Sequence, residues 1–85
     1  MTITEGKFFF LKSLKNLHNV EEIIYYYKII LSEVFERNKS ELALYPNSIL
    51  KKSESTFLEQ AIKNLLAQRP IQYIIGKAFF RSLSL

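Results

Sequence analysis

Apolar side chains recur every three or four residues over most of the chain, which is the spacing of one face of an α-helix. The longest run follows Asn19, and its apolar positions are Val20, Ile23, Ile24, Tyr27, Ile30, Leu31, Val34 and Phe35. Its β-branched and aromatic content favours a strand, but strands rarely exceed about ten residues. The pattern therefore predicts one long amphipathic helix.

This long helix also has apolar residues outside its main stripe. Tyr25, Tyr26 and Ile29 lie on other faces. A helix that is apolar around so much of its circumference is contacted from more than one side. We therefore expect it to lie at the centre of a helical bundle.

Two further apolar stripes predict a first and a last bundle helix. The first stripe contains Phe10, Leu14 and Leu17. The last stripe consists of Phe57, Leu58, Ala61, Ile62, Leu65 and Leu66. Pro70 follows it and ends the helix, because proline disfavours helical backbone in the residue before it.

A short helix is predicted between the long helix and the last one. The Asn38-x-x-Glu41 pattern is typical of a helix start, and Pro46 stops the helix after Tyr45. The stretch Pro-Asn-Ser then has the composition of a turn.

Local polar residues predict where helices begin. Thr2 with Glu5, and Asn19 with Glu22, have the spacing of capping boxes, and Ser53 can cap the last bundle helix. Along the helices, Glu33 with Arg37 and Glu59 with Lys63 have the i, i+4 spacing of ion pairs.

The period changes from three or four residues to two after Pro70. The alternating positions are Ile71, Tyr73, Ile75, Phe79, Arg81, Leu83 and Leu85, with a bend expected at Gly76 and Lys77. Such alternation indicates strands. The predicted fold is thus mainly α: a small four- to five-helix bundle over residues 1–70, followed by a β-hairpin or extended linker over residues 71–85.

Composition excludes several kinds of site. The 85 residues contain no cysteine, no aspartate and one histidine, His18, so disulfides and protein-only metal sites are not expected. No catalytic constellation and no glycine-rich phosphate loop is present. No apolar run reaches the roughly 20 residues of a membrane span, and we expect no membrane association.

Positive charge is concentrated near the end of the chain. The net charge is +4, and residues 60–85 carry Lys63, Arg69, Lys77 and Arg81 without any acidic residue. Scattered solvated charges are the simpler interpretation. An acidic partner or nucleic acid is the alternative.

One stretch resembles a known family. In "RPIQYIIGKAFF", the residues Pro70, Gln72, Tyr73, Gly76 and Phe80 have the spacing found at the end of the N-terminal helical domain of the release factor glutamine methyltransferases, also called PrmC or HemK. Residues 31–50 and 53–70 resemble the preceding helices of that domain.

Some positions depart from the family pattern. Gln68 and Arg69 replace the usual Gly-Glu before Pro70, Phe79 stands where an acidic residue is common, and Ser82 where glycine is common. The spacing of the motif is unchanged, so the resemblance remains.

The resemblance implies a function for the whole enzyme. It implies transfer of a methyl group from S-adenosylmethionine to the glutamine side chain in the Gly-Gly-Gln loop of class I peptide release factors, in the cytoplasm. Residues 1–70 would form a substrate-recognition domain without catalytic, cofactor-binding or metal-binding residues. Residues 71–85 would lead to a catalytic domain that these residues do not include.

The resemblance and the charge together suggest a binding surface. We expect Lys63, Arg69, Lys77 and Arg81 to contact the release factor. We expect the intact enzyme to be a monomer, whereas this domain alone can dimerise through the exposed hairpin.

Two other classes of function stay open. One is a small basic helical domain that binds nucleic acid, although no helix has the exposed Arg, Asn and Gln of a groove-reading helix. The other is a protein-interaction bundle that docks through Tyr25, Tyr26 and Ile29.

Overall fold

The fold is a small helical bundle. The computed structural model describes residues 1–38, 40–45 and 47–83, without the side chains of Leu42 and residues 79–83. Its helices are α1 (Ile3–Leu14), α2 (Val20–Ile29), α3 (Glu41–Leu44), α4 (Lys52–Leu66) and α5 (Ile71–Leu83). A π-helical turn, Ile30–Val34, extends α2. The predicted mainly-α bundle is confirmed.

The long helix and its neighbours share one apolar core. Helix α1 packs against α2 and α4, and the π-helical turn packs against α5. The core residues are Ile3, Phe10, Leu14, Ile23, Tyr27, Ile30, Leu31, Leu50, Leu58, Ala61, Ile62, Leu65, Ile71 and Ile74. Burial of these side chains on folding is the main stabilising contribution.

Tyr27 joins α2 to the start of α1. Its ring packs on Phe10 with centroids 5.4 Å apart, and its hydroxyl donates a hydrogen bond to the Ile3 carbonyl at 2.6 Å. Burial raises the pKa of Tyr27. A β-carbon added at Gly6 would lie 2.4 Å from the Tyr27 hydroxyl, so only glycine allows this close approach.

Two of the four predicted helix caps are present, at Thr2 and Asn19. The start predicted from Asn38 is wrong, because Ser40 is the N-cap of α3. The Thr2 hydroxyl and the Glu5 carboxylate bond to each other's backbone N–H, and Asn19 accepts from the Glu22 N–H. The predicted cap at Ser53 is wrong, because α4 begins at Lys52 and its N-cap residue is Lys51. The Glu54 carboxylate instead accepts from the Lys51 N–H at 2.7 Å.

Arg37 connects three parts of the chain. It donates two hydrogen bonds to Glu54 and one to Glu41, at 2.8–3.0 Å, and a fourth to the Ile49 carbonyl at 3.1 Å. The predicted Glu33–Arg37 pair is therefore wrong, since the guanidinium points toward the start of α4. The Glu59–Lys63 pair is likewise absent from the ion pairs of the described residues.

The turn after α4 depends on a left-handed residue. Gln68 has φ 64°. Its N–H donates to the Leu65 carbonyl at 3.0 Å, and the Arg69 N–H donates to the Asn64 carbonyl at 3.1 Å. These bonds form a Schellman motif, which normally has glycine at the left-handed position. The turn links α4 to α5.

The strand-like pattern after Pro70 folds as a helix. The predicted hairpin or extended linker is wrong for residues 71–83, where the backbone forms α5 without a bend at Gly76. Ile71 and Ile74 are buried three residues apart, whereas Tyr73 is exposed. Packing of this helical face outweighs the alternation of two, and the Pro70 carbonyl accepts a hydrogen bond from the Tyr73 N–H at the first turn of α5.

Some predictions fall outside the described residues. Ser84 and Leu85 lie there entirely, as do the side chains of Phe79, Phe80, Arg81 and Leu83. The dimer contact predicted through this end of the chain remains a prediction. Within the described residues, no helix is both long and apolar enough to cross a membrane.

Candidate functional site

An open groove lies between helices α4 and α5 and is here called the α4–α5 groove. Its volume is about 770 Å³. Its lining residues are Lys52, Ser53, Thr56, Phe57, Gln60, Ala61, Asn64, Ile74, Lys77 and Ala78. The two helices meet at the turn after α4, and the groove runs along α4 away from that turn.

The floor of the groove is apolar and fixed by core packing. Ala61 and Ile74 are buried, and Phe57 is half-buried. The Phe57 ring meets the Phe35 ring edge-on, with centroids 5.7 Å apart and planes at 78°. The floor therefore offers a preformed contact for an apolar side chain.

The walls of the groove are polar and carry positive charge. Lys52 on α4 and Lys77 on α5 are exposed, and no carboxylate occurs among the described lining residues. Gln60 and Asn64 contribute amides, and the Asn64 amide donates to the Gln60 carbonyl at 2.9 Å. The groove can therefore attract carboxylates and satisfy hydrogen bonds beside an apolar contact.

Arg69 lies beside the groove and contacts its lining residue Asn64. Its Nη1 donates to Asn64 Oδ1 at 2.9 Å and to the Tyr73 hydroxyl at 3.4 Å. The guanidinium also lies 5.1 Å from the centre of the Tyr73 ring, within cation–π range. These contacts fix the first turn of α5 relative to the last turn of α4.

The opposite end of α4 is held by Arg37. Burial alone would raise the pKa of Glu54, but the hydrogen bonds from Arg37 and the Lys51 N–H outweigh it and lower the pKa. The hydrogen bonds that Arg37 donates to Glu54 in turn raise the pKa of Arg37. Both groups are thus charged at neutral pH, and their hydrogen bonds hold the first turn of α4, in which Lys52 lies.

The structure separates the four basic residues predicted to bind a partner. Lys77 lines the groove, and Arg69 contacts its lining residue Asn64. Lys63 is exposed but does not line the groove. The side chain of Arg81 lies outside the described residues.

The family-motif residues cluster around α5. Pro70, Gln72, Tyr73 and Gly76 are exposed, and Phe80 has no described side chain. The ring of Tyr73 contacts the Arg69 guanidinium. A β-carbon at Gly76 would meet nothing within 4 Å, so the described residues give no steric reason for glycine there.

Sequence reasoning missed most of the groove. Ser53, Thr56, Gln60 and Asn64 recur at spacings of three and four along α4, and Lys52 begins the helix. The available signal was a stripe of neutral polar residues along one face of α4, whose opposite face packs in the core. The second wall of the groove is α5, and the sequence pattern predicted a hairpin in its place.

A second, smaller depression of about 370 Å³ lies beside the turn between α1 and α2. His18 bonds to Glu22 there and packs edge-on against Tyr26 at 5.4 Å. Burial raises the pKa of Tyr26. Tyr26 and Ile29 pack against the core, which leaves Tyr25 as the mostly exposed member of the predicted interaction face.

The described residues contain no group of three or more side chains suited to holding a metal ion. The chemistry that the α4–α5 groove offers is recognition through lysine ammonium groups, side-chain amides and an apolar floor.

Comparison with known proteins identifies the family. Residues 13–76 match the family model described as the PrmC N-terminal domain. No curated protein and no solved structure gave a match. The matched range covers most of the chain and includes α2, α4 and the start of α5. The chain belongs to the PrmC N-terminal domain family.

Proposed function

We propose that this domain recognises the protein substrate of a release factor glutamine methyltransferase. The match of residues 13–76 to the PrmC N-terminal domain carries the proposal. The proposed substrate is a class I peptide release factor, whose Gly-Gly-Gln glutamine accepts a methyl group on its side-chain nitrogen. The proposed location is the cytoplasm.

The chemistry explains why such an enzyme benefits from a recognition domain. An amide nitrogen is a weak nucleophile, so much of the rate must come from holding it in line with the methyl group. Binding energy from contacts remote from the reacting atoms can be used for that positioning. A rigid bundle with a preformed groove suits this role because little of it must be ordered on binding.

The methyl donor does not fit the α4–α5 groove. S-adenosylmethionine carries a positive sulfonium, whereas the groove presents Lys52 and Lys77 and no carboxylate among its described lining residues. In the proposed enzyme, a separate catalytic domain holds the donor. This domain supplies contacts to the protein substrate alone.

Competition in a methylation assay tests the proposal. A full-length enzyme of the family methylates a class I release factor while increasing amounts of the 85-residue chain are added. We expect the chain to sequester the release factor and lower the rate, and excess release factor to restore it. The same chain with its core disrupted by Leu58→Asp serves as the control. An unchanged rate at a large excess of folded chain would refute the proposed function.

A further inference from the structure

The α4–α5 groove has the shape of a site for a chain segment. Its α4 wall runs from Lys52 to Asn64. At 1.5 Å per residue, that distance is about 18 Å. A site of this length that opens along one side fits a stretch of polypeptide better than a compact small molecule, which needs a deeper enclosure.

The charge of the groove selects the kind of segment. Lys52 and Lys77 are exposed on opposite walls, and the described lining offers no carboxylate to neutralise them. The ion pairs of the described residues involve neither lysine. Both ammonium groups are thus placed to meet carboxylates of a partner across the groove.

The floor adds a requirement for an apolar residue. Phe57, Ala61 and Ile74 form it between the two charged walls. An apolar side chain that covers this floor gains hydrophobic burial, and it would hold the flanking carboxylates near the lysines. Gln60 and Asn64 can bond to backbone or polar groups at the edge of the segment.

We propose that the α4–α5 groove binds an acidic segment of a protein partner, with one apolar side chain seated on Phe57, Ala61 and Ile74 and carboxylates paired with Lys52 and Lys77. The inference rests on the proposed function only for the identity of that partner, the class I release factor. The chemistry of the segment follows from the groove itself.

Nucleic acid is the less suitable occupant of this groove. Phe57 is the one aromatic residue of the described lining, and its ring is half-buried against Phe35. Stacking platforms for bases need exposed aromatic faces. The described lining of the groove offers no fully exposed aromatic ring.

The first experiment selects random short peptides displayed on phage against the folded 85-residue chain. We expect enrichment of peptides with a Leu, Ile or Phe between Asp or Glu residues. The Lys52→Glu/Lys77→Glu variant should bind those peptides at least about tenfold more weakly, because it replaces attraction by repulsion. The matched Lys12→Glu/Lys28→Glu variant, with the same charge change on α1 and α2, should bind them as the wild type does.

Other outcomes of this selection would overturn the inference. One such outcome is a selection that enriches no peptides, and another is a selection that enriches basic or uncharged peptides. A third is enrichment of acidic peptides that bind the groove variant as well as the wild type. Tighter binding of single-stranded oligothymidylate than of the selected peptides, lost in the same groove variant, would assign the groove to nucleic acid instead.

The second experiment separates the inference from the proposed function. Backbone amide resonances of the chain are followed during titration with a class I release factor. Shifts confined to residues 52–64 and 71–78 support both. Binding with shifts elsewhere keeps the proposed function and refutes the groove. Absence of binding refutes the proposed function, and the peptide selection then decides the groove alone.

Discussion

Arg37 holds Glu54 through two hydrogen bonds, from Nε to Oε2 at 3.0 Å and from Nη2 to Oε1 at 2.8 Å. The side chains are 17% and 9% exposed, so the pair is largely shielded from water. Such paired geometry matches the flat guanidinium to the carboxylate. The contact ties the segment after α2 to the start of α4, and thereby fixes one wall of the groove.

Removing the arginine should destabilise the fold strongly. We expect Arg37→Met to lower the free energy of unfolding by about 2–3 kcal/mol, because it leaves the Glu54 carboxylate buried without its main partner. Urea denaturation followed by circular dichroism measures this value. Arg69→Met is the matched control on the surface and should cost less than about 1 kcal/mol.

A double variant tests whether the loss of unfolding free energy comes from the unpaired Glu54 carboxylate. Arg37→Met/Glu54→Leu should recover part of the lost stability, because apolar residues can replace a buried ion pair. The interpretation fails if Arg37→Met is as stable as Arg69→Met.

Stability should fall at acid pH partly through Glu54. Its pKa is lower in the folded state than its ordinary value of 4.5. The carboxylate therefore contributes stability that is complete above that value and is lost as the pH falls through the folded pKa. The Glu54→Gln variant should show a shallower acid decline in urea midpoint between pH 7 and pH 2. Glu59→Gln, the same exchange at an exposed position of the same helix, is the control.

The two glycines should respond in opposite directions to the same substitution. At Gly6, an added β-carbon would lie 2.4 Å from the Tyr27 hydroxyl and 3.1 Å from Leu50 Cδ1. We expect Gly6→Ala to destabilise the fold by about 1–3 kcal/mol through overpacking. At Gly76, nothing lies within 4 Å, so Gly76→Ala should stabilise α5 by up to about 1 kcal/mol.

Thermal melts of both alanine variants check this contrast. Tyr27→Phe added to Gly6→Ala should relieve part of the overpacking, because it removes the atom that the β-carbon meets. Equal effects of alanine at the two positions would contradict the packing described around Tyr27.

Replacing Gln68 with glycine should stabilise the fold. Its φ of 64° is unfavourable for a residue with a β-carbon, and the Schellman motif places glycine at this position. We expect Gln68→Gly to raise the free energy of unfolding by about 1 kcal/mol. The same change at Gln72, in the first turn of α5, should not stabilise, since that backbone is helical. Urea denaturation compares the two variants, and a loss of stability in Gln68→Gly would contradict the turn geometry.

Features that depend on nearby residues were predictable from the sequence. The periodic apolar positions gave the bundle helices, and the short polar spacings gave the caps at Thr2 and Asn19. Both signals act within one or two turns of the chain, so one sequence contains them completely.

Features that depend on tertiary packing were not predictable in the same way. Arg37 has acidic neighbours at helical spacing on both sides, and only the fold selects Glu41 and Glu54 over Glu33. In α5, Ile71 and Ile75 satisfy a period of two and a period of four alike. Burial of Ile74 decides for helix, and that burial requires the neighbouring helices to be in place.

The groove also combines residues that were predictable from the sequence with residues that were not. Its basic residue Lys77 was predicted from the charge pattern, whereas Lys52 and the polar stripe of α4 became visible only when α5 formed the second wall. A site between two helices needs their relative placement, which local patterns do not provide.

Isothermal titration of the 85-residue chain with a class I release factor tests the central claim most directly. We predict saturable binding that Lys77→Glu weakens and that Lys28→Glu, the same exchange at an exposed position outside the groove, leaves unchanged. Absence of any binding heat by the folded wild-type chain, at concentrations where circular dichroism shows it intact, would contradict the account.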